Sequence, residues 1–283
     1  MQQATVIYLT NIVIICILAS MISQYWHRQG RSAAMFFWMV SAWVLALADV
    51  FFATRPLLSH WVGRIVPTLL VTIGHAGLLM GARKTAGLKT RWWTPTAGVL
   101  LHGAGLVYFL FNSGHTEWRM VFNGIVWASF SIASGVSLRQ GPPVFFVSLF
   151  SPCRTFFLHG AFHFFRLVFA SLCVVKGWDQ ANEWLQVVSD FEVSFFMVAL
   201  FVGLLMSNLQ MRNQELSSAL AEVQTLTGLL PICAWCKKVR DDDGYWQKVE
   251  VYLAERSGLK FTHGICSDCF QEQRPKSMKC ESV

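Results

Sequence analysis

Long apolar runs fill the chain from residue 4 to residue 207, and short polar links separate them. A helix that crosses the hydrocarbon core of a bilayer needs about 20 apolar residues. We predict such a helix in each of the runs 4–24, 33–53, 62–82, 95–112, 119–138, 155–175 and 187–207. A break ahead of the sixth helix is predicted by Pro142, Pro143 and Pro152. The first run has no basic residues before it, so we interpret it as a retained helix rather than a signal peptide.

The pattern changes after residue 207, where polar residues become frequent and apolar residues return every seven positions. The core positions of this repeat are Leu209, Leu216, Val223 and Leu230, with Asn213, Leu220 and Thr227 between them. Such spacing is typical of a coiled coil, and an asparagine in the core favours a parallel dimer. A single amphipathic linker helix is the alternative, because three heptads with two polar core positions form a marginal coiled coil.

The composition agrees with this division into a membrane part and a small polar part. Hydrophobic residues make up 54% of the 283 residues and charged residues only 14%, whereas soluble proteins have about 25% charged residues. The net charge of +7 comes mainly from the links between the apolar runs. The links after helices one, three and five hold eight Lys and Arg residues against four in the others, which places the amino terminus outside and the carboxyl terminus in the cytoplasm.

Two cysteine pairs mark the polar part as a candidate metal-binding module. Cys233 and Cys236 form one C-x-x-C motif, and Cys266 and Cys269 form another after 29 intervening residues. Two such motifs can give Zn²⁺ its four tetrahedral thiolate ligands, and a closed site of this kind is structural rather than catalytic. His263 is an alternative ligand or an outer-shell neighbour. The segment between the pairs is too short to fold alone, so zinc would supply the folding free energy.

A redox role for the cysteines is the competing interpretation of the same motifs. Lys237, Lys238 and Arg240 follow the first pair, and nearby positive charge makes a thiol more reactive. Nucleic-acid binding is not predicted, because the acidic run 241–243 follows at once and cancels the basic patch.

The cysteine motifs also carry a resemblance to a known type of module. The segments ALAEVQTL at 219–226, LPICAWCKKVRDDDGYW at 230–246 and FTHGICSDC at 261–269 resemble a cysteine module at the carboxyl ends of bacterial signalling proteins. More loosely, residues 33–207 resemble the multi-helix sensor regions of bacterial diguanylate cyclases and histidine kinases. The resemblance implies a signalling protein of the bacterial inner membrane, although no kinase or cyclase motif is present.

Three ionisable residues within the apolar runs are candidates for a ligand or charge site. Asp49, Arg166 and Glu192 lie at bilayer depth, where ionisable groups are costly and are often functional. Their predicted positions in helices two, six and seven allow them to face one another. The alternative is an ion pair that only holds the helices together.

Four histidines form a second candidate site inside the predicted bundle. His159 and His163 are four residues apart, which places them on one helical face. Bound haem or copper would use such histidines, and the full candidate set is His75, His102, His159 and His163. Ordinary hydrogen-bonded packing is the alternative.

Taken together, these patterns predict an α-helical polytopic membrane bundle with a coiled-coil helix and a small zinc-ribbon-like α+β module. The predicted parts are a seven-helix sensor domain, a signalling helix, a Zn²⁺-binding module and a disordered tail, over 1–207, 208–229, 230–275 and 276–283. We predict a receptor without catalytic output, which forms a homodimer and binds a cytoplasmic signalling protein. The alternatives are a redox or metal sensor that uses the cysteines, or a membrane oxidoreductase that uses the histidines.

Overall fold

The computed structural model describes residues 2–28, 31–112, 118–227, 230–241, 243–258 and 260–273. In these ranges the helices are α1 (Gln2–Arg28), α2 (Ala33–Ala53), α3 (His60–Thr85), α4 (Trp93–Phe111), α5 (Trp118–Leu138), α6 (Pro152–Lys176), α7 (Asp179–Thr227), α8 (Val249–Ser257) and α9 (Ser267–Gln273). The strands are β1 (Val239–Arg240) and β2 (Trp246–Gln247). The chain divides into two compact units, Met1–Gln214 and Glu215–Val283. The predicted tail over 276–283 lies outside the described residues.

Helices α1 to α7 confirm the seven predicted spans, since each contains a stretch long and apolar enough to cross a membrane. The predicted break before the sixth span is also present. The chain makes a 3-10 turn at Pro143–Phe145, and α6 then begins at Pro152, where proline fits the first turn of a helix. The chain is therefore a helical, multi-pass membrane protein.

Close packing of α2 and α3 depends on glycine. A Cβ atom on Gly74 would lie 2.6 Å from the Cδ2 atom of Leu45, and one on Gly81 would lie 2.8 Å from the Cε2 atom of Trp38. Small residues let helices approach closely in membranes, where packing rather than hydrophobic burial drives association. Helix α3 also contacts α4 and α5, and α5 packs along α6.

The interior of the first unit has an apolar part and a polar part. Large apolar side chains such as Trp38, Phe156 and Phe201 fill the part near the start of α2 and α6. The opposite part, near the amino-terminal halves of α3, α5 and α7, contains most of the buried polar groups. The candidate histidines and ionisable residues of the membrane helices lie in this polar part.

The second unit contains the hairpin that carries the first cysteine pair. Strands β1 and β2 are antiparallel, with Val239 opposite Gln247, and Ile232 forms a further bridge to Val239. Helix α8 ends at Gly258, whose φ of 67° is a left-handed cap that favours glycine. Val239 and Tyr252 are the buried hydrophobic side chains among the described residues of this unit.

The segment predicted as a coiled coil is helical as far as Thr227, where α7 ends. Residues 228–229 and the side chains of Val223 and Thr227 lie outside the described residues. Leu209, Leu216 and Leu220 are 46%, 60% and 55% exposed, so this apolar stripe is not buried by the part of the chain that the structure describes. Pairing of two chains along this stripe stays a prediction.

Candidate functional site

A cavity of about 730 Å³ lies in the polar part of the first unit. Its walls come from α1, α2, α3, α5, α6 and α7, and include Tyr8, Asp49, His75, Asn123, His159 and Asp190. Exposed residues of the α2–α3 link, Arg55 and Ser59 among them, also line it, so the cavity opens at this end of the bundle. Ligand pockets in proteins commonly have volumes of about 300–1,000 Å³, and this cavity falls in that range.

Three buried histidines meet at the wall of the cavity. Helix α3 supplies His75, and α6 supplies His159 and His163, which are one helical turn apart. The Nε2 atom of His159 lies 3.2 Å from the Nε2 atom of His75 and 3.2 Å from that of His163. All three side chains are buried and line the cavity. The structure thus brings together three of the four predicted histidines.

Hydrogen bonds to the other ring nitrogens assign the tautomers of two of these histidines. The Nδ1 atom of His75 lies 2.9 Å from the carbonyl oxygen of Val71, which can only accept, so the His75 ring donates there. The Nδ1 atom of His159 lies 2.8 Å from Oε1 of Glu192 and donates to that carboxylate. Among the described residues, His159, His163 and Glu192 form the group whose three potential ligand atoms lie within 4.8 Å of one another.

Aromatic contacts hold the histidine rings in place. The ring of His159 stacks on Phe196 with centroids 3.7 Å apart and an interplanar angle of 9°. Trp127 contacts the rings of His75 and His163 with centroid distances of 6.2 Å and 5.5 Å. The histidine positions are therefore fixed by side chains from α5 and α7 as well as by their own hydrogen bonds.

The three predicted ionisable residues belong to the same region, but they do not pair directly with one another. Arg166 donates to Oε1 of Gln186 at 3.1 Å, and Gln186 in turn donates to Oδ1 of Asp190 at 2.8 Å. Glu192 accepts from His159 instead, and Asp49 lines the cavity. Arg166 is thus linked to Asp190 through the Gln186 amide, and not to Asp49 or Glu192 by the ion pair that was the alternative interpretation.

His102 lies outside the histidine cluster and has partners of its own. Its Nδ1 atom is 2.6 Å from Oγ1 of Thr72, and its Nε2 atom is 2.9 Å from Oδ1 of Asn123. Trp127 also donates to Oγ1 of Thr72 at 3.0 Å. Both ring nitrogens of His102 are satisfied, so this histidine fits the packing interpretation rather than a ligand role.

Arginines line the outer part of the cavity. Arg55 is exposed, whereas Arg64 and Arg119 are half-buried, and all three line the wall. In the sequence, these arginines were considered only as charges that set the orientation of the chain in the membrane. Their positive charge favours a ligand that carries an anionic group.

Each cysteine pair in the second unit forms a compact turn. The backbone N–H of Cys236 donates to the Sγ atom of Cys233 at 3.5 Å, and Lys237 adopts a φ of 59°, which closes the turn. N–H donation from Cys236 lowers the pKa of the Cys233 thiol, and N–H donation from Cys269 lowers the pKa of Cys266 in the same way. These features fit thiolates that bind a metal.

The four sulfur atoms do not converge within the described residues. The two pairs lie in separate turns, at the start of the hairpin and at the start of α9, and the cysteines do not form a group with three ligand atoms within 4.8 Å. His263 is exposed. One zinc ion shared by both pairs therefore stays a prediction.

Several cavity residues carried no sequence signal of their own. Asn11 and Ser189 lie within predicted apolar runs, where single small polar residues are common, and Gln186 lies one residue before the seventh run. What marks these residues is their place in the folded bundle. That place depends on which face each helix turns inward, and the sequence does not show this. Ser194 of α7 hydrogen-bonds to Asn11 of α1, which joins the first and last spans near the cavity.

A comparison of the chain with protein-family models, with curated proteins and with solved structures finds no match.

Proposed function

We propose that this protein is a membrane receptor whose helical bundle binds a small polar ligand and whose polar carboxyl-terminal part passes the signal on. The observation that carries this proposal is the cavity of about 730 Å³, with buried histidines and acidic residues on its walls and arginines toward its opening. Buried groups of this kind are costly in a membrane, and binding of a ligand explains why they are present.

Helix α7 supports the link between binding and output. Its residues Ser189, Asp190 and Val193 line the cavity, and the same helix runs on to Thr227. A ligand that binds one arrangement of the cavity wall better than another would shift the population of α7 positions. A continuous helix can pass such a shift on as a rotation or a translation.

The arginines and acids define the class of ligand. Arg55, Arg64 and Arg119 favour an anionic group toward the opening, while Asp49 and Asp190 favour a hydrogen-bond donor or a cation deeper in the cavity. A small molecule with both kinds of group matches this arrangement. The volume limits it to the size of a typical metabolite.

The carboxyl-terminal part supplies the output in this proposal. Two chains would pair along Leu209, Leu216 and Leu220. Zn²⁺ would join the four cysteines, and the folded module would bind a cytoplasmic signalling protein. The bacterial inner membrane, with the amino terminus outside, is the location that the charge distribution supports.

A pair of serine variants tests ligand binding. Ser189 is buried at the cavity wall, and Ser129 is exposed on α5, and each hydroxyl donates to the carbonyl four residues earlier at 2.7 Å. Ser189→Phe fills the cavity, whereas Ser129→Phe makes the same chemical change on the outer surface. Native mass spectrometry of protein purified in lipid nanodiscs should detect a bound small molecule in the wild type and Ser129→Phe, and not in Ser189→Phe. Equal spectra for all three proteins would refute the proposal.

A further inference from the structure

A second, smaller cavity lies at the other end of the bundle from the large one. Its volume is about 200 Å³, and its walls come from α1, α2, α3, α7 and the 3-10 turn that precedes α6. The large cavity is lined by α7 over 186–197, whereas the smaller one is lined by α7 over 208–212. The two cavities share no lining residue, so the smaller one is a separate candidate site.

Two basic side chains from different helices line the smaller cavity. Lys84 lies in the last turn of α3, and Arg212 lies in the part of α7 that follows the predicted seventh span. Both side chains are exposed, so a ligand can reach them. The rule that sets membrane orientation explains why basic residues are frequent at this end, but it does not require two of them to line one cavity. Their combined positive charge favours an anion between α3 and α7.

Two hydroxyl groups at the cavity can add hydrogen bonds to such an anion. The hydroxyl of Ser32 accepts the backbone N–H of Met35 at 3.2 Å. The hydroxyl of Thr85 accepts the indole N–H of Trp38 at 3.1 Å. Each hydroxyl therefore keeps its own proton to donate, and both residues line the cavity. A phosphate group, whose oxygens accept several charge-assisted hydrogen bonds at once, matches these donors and the two cations.

Apolar side chains in the same cavity favour a lipid as the source of the phosphate. Met35 and Phe145 are buried at its walls, and Met211 lines it from α7. Trp26, near the end of α1, also lines it, and tryptophan is enriched where a membrane meets water. The headgroup of an anionic phospholipid could thus reach the cations while its acyl chains stay in the bilayer.

We propose that this smaller cavity binds a phosphate group, carried by the headgroup of an anionic phospholipid or by a small soluble molecule, and that Lys84 and Arg212 bind its negative charge. Basic pockets between membrane helices bind anionic headgroups by the same chemistry. The bound phosphate would join α3 to α7. The receptor function rests on the large cavity and does not depend on this second site.

Titration of the detergent-purified, full-length chain tests the site. Native mass spectrometry measures binding of dioleoylphosphatidylglycerol, with dioleoylphosphatidylcholine as the lipid without net charge. Calorimetry in the same detergent measures binding of glycerol 3-phosphate, the soluble phosphate. The site variant is Lys84→Gln with Arg212→Gln. The control variant, Lys89→Gln with Arg91→Gln, removes the same charge from the α3–α4 link, outside the cavity.

The account predicts a difference between the two variants. Phosphatidylglycerol should bind the wild type and the control variant equally, and should bind the site variant about 5–30-fold more weakly. Phosphatidylcholine should bind all three proteins alike. All four substituted residues are exposed, so neither variant should disturb the fold.

The outcomes also identify the source of the phosphate. Weaker binding of phosphatidylglycerol to the site variant supports a headgroup site, and the same loss with glycerol 3-phosphate alone supports a site for a soluble phosphate. Equal affinities of all three proteins for both ligands, or equal weakening by the two variants, would overturn the proposal. Equal loss of phosphatidylcholine and phosphatidylglycerol in the site variant would overturn it as well, because the cations would then not recognise negative charge.

Discussion

The Nε2 atoms of His75 and His159 lie 3.2 Å apart although 84 positions separate the two residues in the chain. They belong to α3 and α6, and both helices form part of the cavity wall. Whatever occupies the space beside these nitrogens therefore affects two helices at once. Glu192 extends the effect to α7, because it accepts the ring proton of His159.

Packing of α2 on α3 gives a direct stability prediction. A Cβ at Gly81 would lie 2.8 Å from Cε2 of Trp38, whereas a Cβ at Gly103 of α4 would lie 3.7 Å from Cδ1 of Leu69, an ordinary contact. Both Gly→Ala changes gain similar helix propensity, so their difference reports packing. We expect Gly81→Ala to lower the free energy of unfolding by about 1–3 kcal/mol relative to Gly103→Ala. Thermal unfolding in detergent measures this difference, and equal midpoints would contradict the close α2–α3 contact.

If two chains pair along residues 208–227 of α7, the stability of the dimer should depend on Leu216. Its exposed side chain is at a core position of the heptad repeat, and full burial of a leucine stabilises by about 1.5–3 kcal/mol. We expect Leu216→Asn to weaken the dimer strongly. Ser218→Asn, on the opposite face of the same helix, should leave the dimer unchanged. Mass photometry over a dilution series in nanodiscs distinguishes a dimer from a monomer, and identical results for both variants would refute the coiled-coil pairing.

The lowered pKa of the Cys233 thiol predicts a pH dependence of its reactivity. Hydrogen bonds to the thiolate stabilise the turn at high pH, and this contribution is lost as the pH falls through the lowered pKa. Alkylation of Cys233 in the metal-free chain should therefore persist below the pH range of an ordinary thiol. Cys236→Ser keeps the backbone donor, whereas Cys236→Pro removes it and should move the profile to higher pH. Mass spectrometry of the alkylated peptides gives both profiles, and superimposable curves would exclude the backbone cause.

Removal of zinc should unfold the cysteine hairpin. Metal binding contributes on the order of 10 kcal/mol to folding of small zinc modules, and this unit buries few apolar side chains among its described residues. We expect hydrogen exchange over 231–247 to become fast after chelation and in Cys266→Ser. Cys16→Ser, which changes a cysteine of α1, should leave this exchange slow. Slow exchange of the hairpin after complete zinc removal would show that it folds without the metal.

The membrane helices could be predicted because the bilayer imposes a local rule. Each span needs a continuous apolar run, and the runs are visible in the sequence without any knowledge of packing. The break at Pro152 follows from the covalent geometry of proline, which is also local. Helix number and order were accordingly accessible from sequence alone.

Only some of the residues that form the site could be predicted from the sequence. His159 and His163 share a helical face, and that periodicity identified them as neighbours. Their contact with His75 and the separate position of His102 depend on how α3, α4 and α6 rotate against one another. Those rotations are set by long-range packing, such as the contacts of Trp38 in α2 with Gly81 in α3 and with Phe156 in α6. A sequence pattern contains no equivalent signal.

The proposed receptor function requires that a change in the cavity alters the part of α7 that follows the seventh span, residues 208–227. Hydrogen exchange over 208–227 tests this coupling most directly. Ser189→Phe fills the cavity, and Ser129→Phe is the matched control on the outer surface. We predict that exchange over 208–227 changes in Ser189→Phe and equals that of the wild type in Ser129→Phe. Unchanged exchange in Ser189→Phe, in a protein that is otherwise folded, would contradict the account.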